Sequence, residues 1–306
     1  MKTMRILLTA LAFVFYFSLY AQEYENTQTF NVMTWNIWHG GNEDGTEVGP
    51  ERVIEIILDS KADIVAMQET YGSGERIANA LDFNFHPRGT NVSILSRFPV
   101  VEDISVFEEF KCVGGLIELP DNRNIAFYSI WLPYNKEIWE VGTRDTTRPD
   151  LMQAACKVSS DDLNKIEALI TERLKDVKYS DVPVVIAGDF NSMSALDYTP
   201  SSMDQYDVVI DWPTSRIMLD LGYRDSWREL HSKVDRLNDR TWTPRFPEQE
   251  QDRIDFIYYR GLSPVSEKLE ATNSIVVDSR LEKIGNDTRE TFPSDHAAVL
   301  TKFSWP

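Results

Sequence analysis

The 306-residue chain has only two cysteines, Cys112 and Cys156. A disulfide-built scaffold needs more, so the fold must rest on a hydrophobic core. Their spacing leaves open whether the two pair in an oxidising compartment or stand as separate buried thiols. Clusters of lysine and arginine are also lacking: 31 basic residues face 49 acidic ones, for a net charge of −18. Such a surface repels polyanions and offers no basic footprint for sequence-independent DNA binding, although local cations or bound metal can reverse the field inside one cleft. There is no His/Cys cluster to suggest zinc. No repeat, low-complexity tract or long Gly/Ser linker interrupts residues 22–306, which read as one domain.

What is present begins with a core, since 42% of residues are hydrophobic. The N-terminal stretch MKTMRILLTALAFVFYFSLYAQ places Lys2 and Arg5 before an apolar run from Ile6 to Phe17, then small or neutral residues up to Ala21. That is the layout of a secretory signal, expected over residues 1–21 with cleavage after Ala21. The alternative is a retained anchor, but the run falls short of the about 20 residues that a spanning helix needs. The expectation is therefore a bacterial protein exported to the periplasm or beyond, with no stable membrane span once residues 1–21 are gone. Their removal takes away Lys2 and Arg5 and no acid, leaving a charge of −20.

Strands are expected at Phe30 to Ile37, Ile64 to Met67, Val92 to Leu95, Ile125 to Leu132, Val182 to Ala187, Ile254 to Tyr259 and Ala298 to Phe303. Continuous apolar runs such as IVAM and VPVVIA suit strands covered on both faces. Helical stripes alternate with them. Val53, Ile54, Ile57 and Leu58 follow Gly49-Pro50, and Leu163, Ile166, Ile170, Leu174 and Val177 follow capping choices at Ser159, Ser160 and Asp161. The class is α/β. Residues 193–253 have weak periodicity and read as long loops with a short helix near Ser215 to Leu221.

The chemistry lies where these runs end. VVIAGDFNSM carries a buried strand into Gly188, Asp189 and Asn191. In an α/β protein, the carboxyl end of a strand is where ligands bind. Alone, Gly-Asp-x-Asn is ordinary turn composition. Four further runs repeat the pattern: VMTWNIW reaches Asn36, DIVAMQET reaches Gln68 and Glu69, DRIDFIYY embeds Asp255, and FPSDHAAV sets Asp295 and His296 before the last strand. A carboxylate buried in a strand is costly unless it is paired or metal-bound, so Asp255 needs a partner. His296 is the best candidate, because such an aspartate fixes one imidazole tautomer and favours its charged form. The alternative is a salt bridge to an arginine such as Arg253, which is too close in sequence to face the same side of the strand.

TWNIW, MQET, SILSRFPV, GDFNS, RIDFIYY and SDHAAV, in that order over nearly the whole of residues 22–306, resemble the endonuclease/exonuclease/phosphatase superfamily. Its members include pancreatic-type deoxyribonuclease, abasic-site endonucleases, neutral sphingomyelinases and inositol-phosphate phosphatases. The resemblance implies a DNase I-like four-layer α/β sandwich of two packed, mainly antiparallel β-sheets flanked by helices, with the site at one end. It makes Glu69 the main Mg²⁺ ligand, with Asn36 beside it and Asp295 completing the metal environment. It also has Asp189 orient or deprotonate the attacking water and Asn191 hold a phosphate oxygen, while His296, oriented by Asp255, stabilises charge on the phosphate. Hard oxygen ligands suit Mg²⁺ or Mn²⁺. Phosphoester hydrolysis needs an aligned oxygen nucleophile and counter-charge for the equatorial oxygens, which these residue types supply.

One position departs from the family pattern. Many members carry a Thr-His-Leu segment on the central strand, where this chain has FYSIWLPYN with Trp131 at the histidine position. Abasic-site endonucleases also place an aromatic residue there. Indole is neither an acid nor an acceptor, so any role of that histidine falls to Tyr134, Asn135 or an arginine such as Arg148, or is not filled at all. Trp131 itself is read as a wall of the substrate cleft, with core packing as the alternative. His39, in a Gly-rich loop just past Asn36, borders the site and is a candidate substrate contact, and an exposed loop histidine is the plainer reading. The Asn91-Val92-Ser93 sequon starts a strand and carries no weight. The aromatic residues Trp212, Trp227 and Trp242 could pack loops or stack on a substrate, and Arg216, Arg224, Arg240 and Arg245 could hold a second phosphate. The acidic total favours a small or headgroup-sized phosphoester over nucleic acid. The other readings are a secreted nuclease and a silent binding protein on the same fold.

Overall fold

The apolar runs form the centres of two six-stranded sheets. The computed structural model describes residues 28–135, 138, 148–278 and 292–306. The expected signal segment, residues 1–21, lies outside the described residues. The described strands are β1 Gln28–Asn36, β2 Ile64–Gln68, β3 Asn84–Arg88, β4 Val92–Ser96, β5 Val100–Asp103, β6 Cys112–Glu118, β7 Asn124–Trp131, β8 Val184–Asp189, β9 Arg224–Asp225, β10 Asp255–Arg260, β11 Glu270–Val277 and β12 Ala298–Trp305. One sheet runs β11-β12-β1-β2-β4-β3 and the other β5-β6-β7-β8-β10-β9. Each is mixed, with β1 parallel to β2 and β7 parallel to β8, and the remaining described pairs are antiparallel.

The two-residue period of a strand explains how one apolar run serves two cores. Val32, Ile64, Ala66, Phe127, Val185, Ala187, Ile257 and Tyr259 belong to the layer between the sheets. Their chain neighbours Met33, Val65 and Met67 pack outward against Val53, Ile54, Ile57 and Ile77 of the helices Val48–Ser60 and Gly74–Leu81. On the opposite side Val184, Ile186 and Tyr258 meet Leu163, Ile166 and Ile170 of the helix Lys157–Arg173. The result is helix, sheet, sheet, helix, the four-layer sandwich that the motif order implies.

Two helix details differ from expectation. The long helix starts at Lys157, so Ser159 and Ser160 lie inside it and return their hydroxyls to the Cys156 carbonyl at 2.9 and 2.8 Å. Val177 is 83% exposed, in a one-turn 3-10 segment beyond that helix, and Leu58 is 52% exposed on Val48–Ser60. A 3.6-residue stripe drawn across a helix end overruns the buried face. Cys112 and Cys156 are both free and buried.

Candidate active site

At one end of the sandwich, the positions that point between the sheets change from apolar to polar. Counting in twos from Val32 along β1 gives Thr34 and Asn36; from Ile64 along β2, Ala66 and Gln68; from Val185 along β8, Ala187 and Asp189; and back from Ile257 on β10, Asp255. Register brings them together, since Asn36 pairs with Gln68 and Asp189 pairs with both Trp131 and Asp255. Gly188 makes this approach feasible, because a Cβ there would lie 2.1 Å from the Ile130 carbonyl oxygen.

Asn36 crosses from one sheet to the other. Its Nδ2 donates to Asp189 at 3.1 Å and to Glu69 at 3.2 Å. Its Oδ1 accepts the Trp38 N–H at 3.0 Å, which sets the amide's orientation. Asn36 thus bridges two carboxylates through its Nδ2, beside Glu69, and its Oδ1, an acceptor with two lone pairs, keeps one beyond the Trp38 bond. Asp189 also accepts the Asn191 backbone N–H at 2.9 Å and Asn191 Nδ2 at 3.0 Å. The amide of Asn191 donates further to the Leu132 carbonyl at 2.8 Å. Glu69 is held by its Oε2, which accepts the His39 N–H at 3.0 Å, and by its own N–H, which donates to Asn91 Oδ1 at 3.0 Å. Glu69 and Asn191 both have positive φ, 56° and 47°, a region costly for non-glycine residues and found where surroundings over-determine the backbone.

His296 Nδ1 lies 2.9 Å from Asp255 Oδ2, and its Nε2 lies 3.9 Å from Asp189 Oδ2. Arg253, the alternative partner for Asp255, turns away to Asp197 at 2.8 Å and Asp225 at 2.7 Å. Burial opposes charge on the imidazole, but the Asp255 and Asp189 carboxylates prevail and raise its pKa. Burial raises Asp189 above the usual carboxylate range against the pull of His296. Burial likewise pushes Asp295 up to about 6, with the nearby Glu69 charge adding to it.

These groups open on one cavity of about 440 Å³ lined by Glu69, Asp189, Asn191, Asp295 and His296, with Trp38, His39, Tyr71, Trp131, Tyr134, Trp242 and Ile254. Trp131 is both things expected of it, packed against the inter-sheet core and facing the cavity. Tyr134 is 59% exposed at the rim, and His39 is exposed, with Nδ1 2.6 Å from Glu43. Asn135 lines a neighbouring depression with Pro133, Tyr134, Ala155 and Val158, and Arg148 lies exposed at the start of the helix Pro149–Ala155. The four arginines offered for a second phosphate are engaged elsewhere, Arg216 with Asp211, Arg224 with Glu229, Arg240 with Asp278 and Arg245 with Asp44.

A family model described as Endonuclease/Exonuclease/phosphatase matches residues 33–296, the span from β1 to His296. The chain belongs to the endonuclease/exonuclease/phosphatase family. It is 28% identical over 311 residues to an uncharacterized protein of Caenorhabditis elegans, covering 94% of this chain and 95% of that one. Solved structures share the fold. A humanized TDP2 of D. rerio superposes with a TM-score of 0.61 at 14% identity, covering 90% of this chain and 98% of that chain. A Bacteroides thetaiotaomicron mannosyl-6-phosphatase gives 0.58 at 16% identity, with 90% and 99% covered. A second Bacteroides thetaiotaomicron protein, described only by this family's name, also gives 0.58 at 16% identity, with 92% and 99% covered.

Endonuclease/exonuclease/phosphatase proteins typically depend on a divalent metal, and this member has residues that fit one. Ligand atoms of Asp189, Asp255 and His296 lie within 4.8 Å of one another. The Asp255–His296 hydrogen bond already accounts for much of that compactness, so the oxygens better placed for a cation are elsewhere. Asp295 Oδ1 is buried without a hydrogen-bond partner, and Glu69 faces the same cavity, whose described lining contains no lysine or arginine. Converging carboxylates of this kind are costly without a counter-charge.

Several contributors to this family site were missed in the sequence. Trp38 and Tyr71 line the cavity beside Trp242, which was among the aromatics offered for stacking; Asn91, dismissed with its sequon, anchors Glu69; and Ser294 ties His296 to β1 by accepting its N–H at 3.0 Å and donating to the Asn36 carbonyl at 2.6 Å. Trp38 and Tyr71 sit two residues beyond Asn36 and Glu69, which was a usable signal. Trp212 and Trp227 are buried in loop packing.

Proposed function

We propose that the chain is an exported, Mg²⁺-dependent phosphoester hydrolase acting on small or headgroup-sized substrates. The observation that carries this reading is the convergence of Glu69, Asp189, Asn191, Asp295 and His296 on one cavity, with Asn36 joining two of the carboxylates across the sheets. Glu69 and Asp295 would hold the ion, and a magnesium or manganese ion there would polarise the phosphoryl oxygens and neutralise developing charge. Asp189, a buried carboxylate of raised basicity, orients the attacking water and takes its proton. The cationic His296, aimed by Asp255, stabilises the charge that builds on the equatorial oxygens, and Asn191 on the cavity wall steadies the Asp189 carboxylate through its backbone N–H and amide.

The substrate class rests on charge and shape. A cavity of about 440 Å³ with five aromatic rings and no lysine or arginine in its described lining suits one phosphate on a compact leaving group. The charge of −18 works against a polynucleotide backbone. A TDP2 of D. rerio has been solved with a single-strand DNA product at a TM-score of 0.58, so DNA belongs among the substrates to be tried. Export rests on the Lys2–Ala21 signal pattern.

The test is hydrolysis by residues 22–306 of bis(p-nitrophenyl) phosphate, p-nitrophenyl phosphate, sugar phosphates, inositol phosphates, sphingomyelin and plasmid DNA, with Mg²⁺, Mn²⁺ or EDTA. Metal-dependent turnover of a small phosphoester, abolished in His296→Ala, is the expected result. Preferential cleavage of DNA would replace the substrate assignment with the nuclease one. Folded protein inert on every member would favour a binding role.

A further inference from the structure

The pair Asp255–His296 spans two separately hydrogen-bonded sheets. Asp255 opens β10 of one sheet, and His296 stands just before β12 of the other. Two ties on the His296 backbone, from Ser294 and from Trp35 Nε1 to the His296 carbonyl at 2.9 Å, come from the β1 side. Neither ladder sets the 2.9 Å spacing across the gap.

The segment Thr241-Trp242-Thr243 reaches both sides. The buried Thr241 hydroxyl accepts the N–H of Ile254 at 3.0 Å and of Asp255 at 3.1 Å, at the point where β10 begins. The Thr241 carbonyl accepts the Ala297 N–H at 2.7 Å, next to His296. The Thr243 hydroxyl donates to the Asp295 carbonyl at 2.6 Å. Between them, Trp242 exchanges backbone hydrogen bonds with Asp252 at 2.8 and 2.7 Å, forms an isolated bridge with His296, and sets its ring edge-on to the imidazole, centroids 5.0 Å apart. One three-residue stretch therefore grips the backbone on both sides of the dyad and packs on the imidazole.

We propose that Thr241–Thr243 is a positioning clip that sets the distance and aim of His296 on Asp255 across the gap between the sheets. Thr241 and Thr243 are positioning residues: they act through the dyad, and their hydroxyls bond only to backbone. The clip deepens the hydrolase reading, since it matters for rate only if His296 works on substrate. Its geometry can be tested without turnover.

Thr241→Val keeps the shape and removes the acceptor, leaving two buried N–H groups unsatisfied, whereas Thr241→Ser keeps the acceptor. The first readout is the imidazole N–H proton of His296, shifted far downfield by its bond to Asp255 and assigned by its disappearance in Asp255→Asn. The wild type and Thr241→Ser should show it, and Thr241→Val, with unchanged near-ultraviolet circular dichroism, should lose or broaden it. In turnover of the best phosphoester, Thr241→Val should lower kcat at least about tenfold with KM nearly unchanged. Thr241→Ser should restore most of that loss, and on the Asp255→Asn background Thr241→Val should change kcat by less than about twofold. A folded Thr241→Val with the downfield proton in place and kcat intact would overturn the clip, as would an undiminished loss on the Asp255→Asn background. If Thr241→Val does not fold, Thr243→Val, which loses the bond to Asp295, is judged by the same outcomes. Absence of wild-type turnover would sink the hydrolase reading, and the proton signal alone would then decide on the clip.

Discussion

At the scale of single residues, burial decides what each polar group can do. Asp189, Asp255 and His296 are almost wholly withdrawn from water and are held by partners. The two thiols are equally withdrawn, and for Cys112 burial outweighs the pull of the Arg88 charge. Burial pushes Cys112 up to about 12 and Cys156 up to about 11, with a hydrogen bond to Ser192 slightly easing the latter. A thiol kept protonated and covered does not react. Ellman's reagent at pH 8 should therefore find no reactive thiol in the native protein and two after unfolding in guanidinium without reductant. Zero after unfolding would mean a disulfide, and rapid reaction of the native protein would mean that the burial is wrong. Residue-scale legibility follows the same physics. Asn36, Glu69, Asp189, Asp255 and His296 stood out because each interrupts or ends an apolar run, and a polar group there is costly without a reason. Trp38 and Tyr71 did not stand out, and Trp242 could not be told from Trp212 and Trp227, since an aromatic ring in a loop reads the same whether it packs or lines a cleft.

At the scale of elements, the seven strands foreseen were those with runs of four or more apolar residues, or a close approach to one. The five others lack that mark for physical reasons. β3 contains Pro87, tolerable because β3 is the edge of its sheet. β6 carries Gly114 and Gly115; at Gly114 a Cβ would lie 2.4 Å from the Tyr128 ring, so the glycine is required by packing and not by a turn. β5 and β9 are short edges, and β11 is a polar edge with a bulge between Ala271 and Asn273. The helix Lys157–Arg173 allows a direct comparison. Ile166→Ala removes a side chain buried against the second sheet and should cost about 2–5 kcal/mol, whereas Val177→Ala, from the same apparent stripe, should lie within about 0.5 kcal/mol of wild type in urea unfolding. Equal effects would contradict the placement of the helix end. The C-terminal end of that helix is tethered to β5 through Glu102, which bonds Arg173 at 2.6 Å, Lys178 at 2.9 Å and Tyr179 at 2.8 Å. Those bonds, Arg173 first, hold Glu102 down at about 2. A carboxyl depressed in the folded state stabilises above its ordinary range, and that contribution falls away as pH drops toward about 2. Unfolding of Glu102→Gln should thus match wild type in slope at neutral pH but show a shallower loss of stability between about pH 4 and pH 2. An identical acid limb would contradict the tether.

At the scale of the whole molecule, the sandwich places its one strongly polar inter-sheet edge beneath a rim of rings, on a chain of net charge −18. The apolar runs made an α/β class with strands covered on both faces legible, and the two-sheet sandwich came from the family resemblance that the motif order carries. The closure of the site across the sheets was not legible, because it depends on contacts such as Asn36 with Asp189, 153 residues apart in the chain. On the proposed reading, an acidic protein that handled phosphate would call on a cation at the reacting centre, so metal dependence is the claim to test. The deciding measurement is the initial rate on the best phosphoester as Mg²⁺ is added back after EDTA, for the wild type beside Glu69→Gln. The account predicts a saturable rise from near zero in the wild type and a rate at least about 100-fold lower in Glu69→Gln at the same Mg²⁺. A rate indifferent to EDTA, or a Glu69→Gln curve superimposed on the wild type, would contradict it.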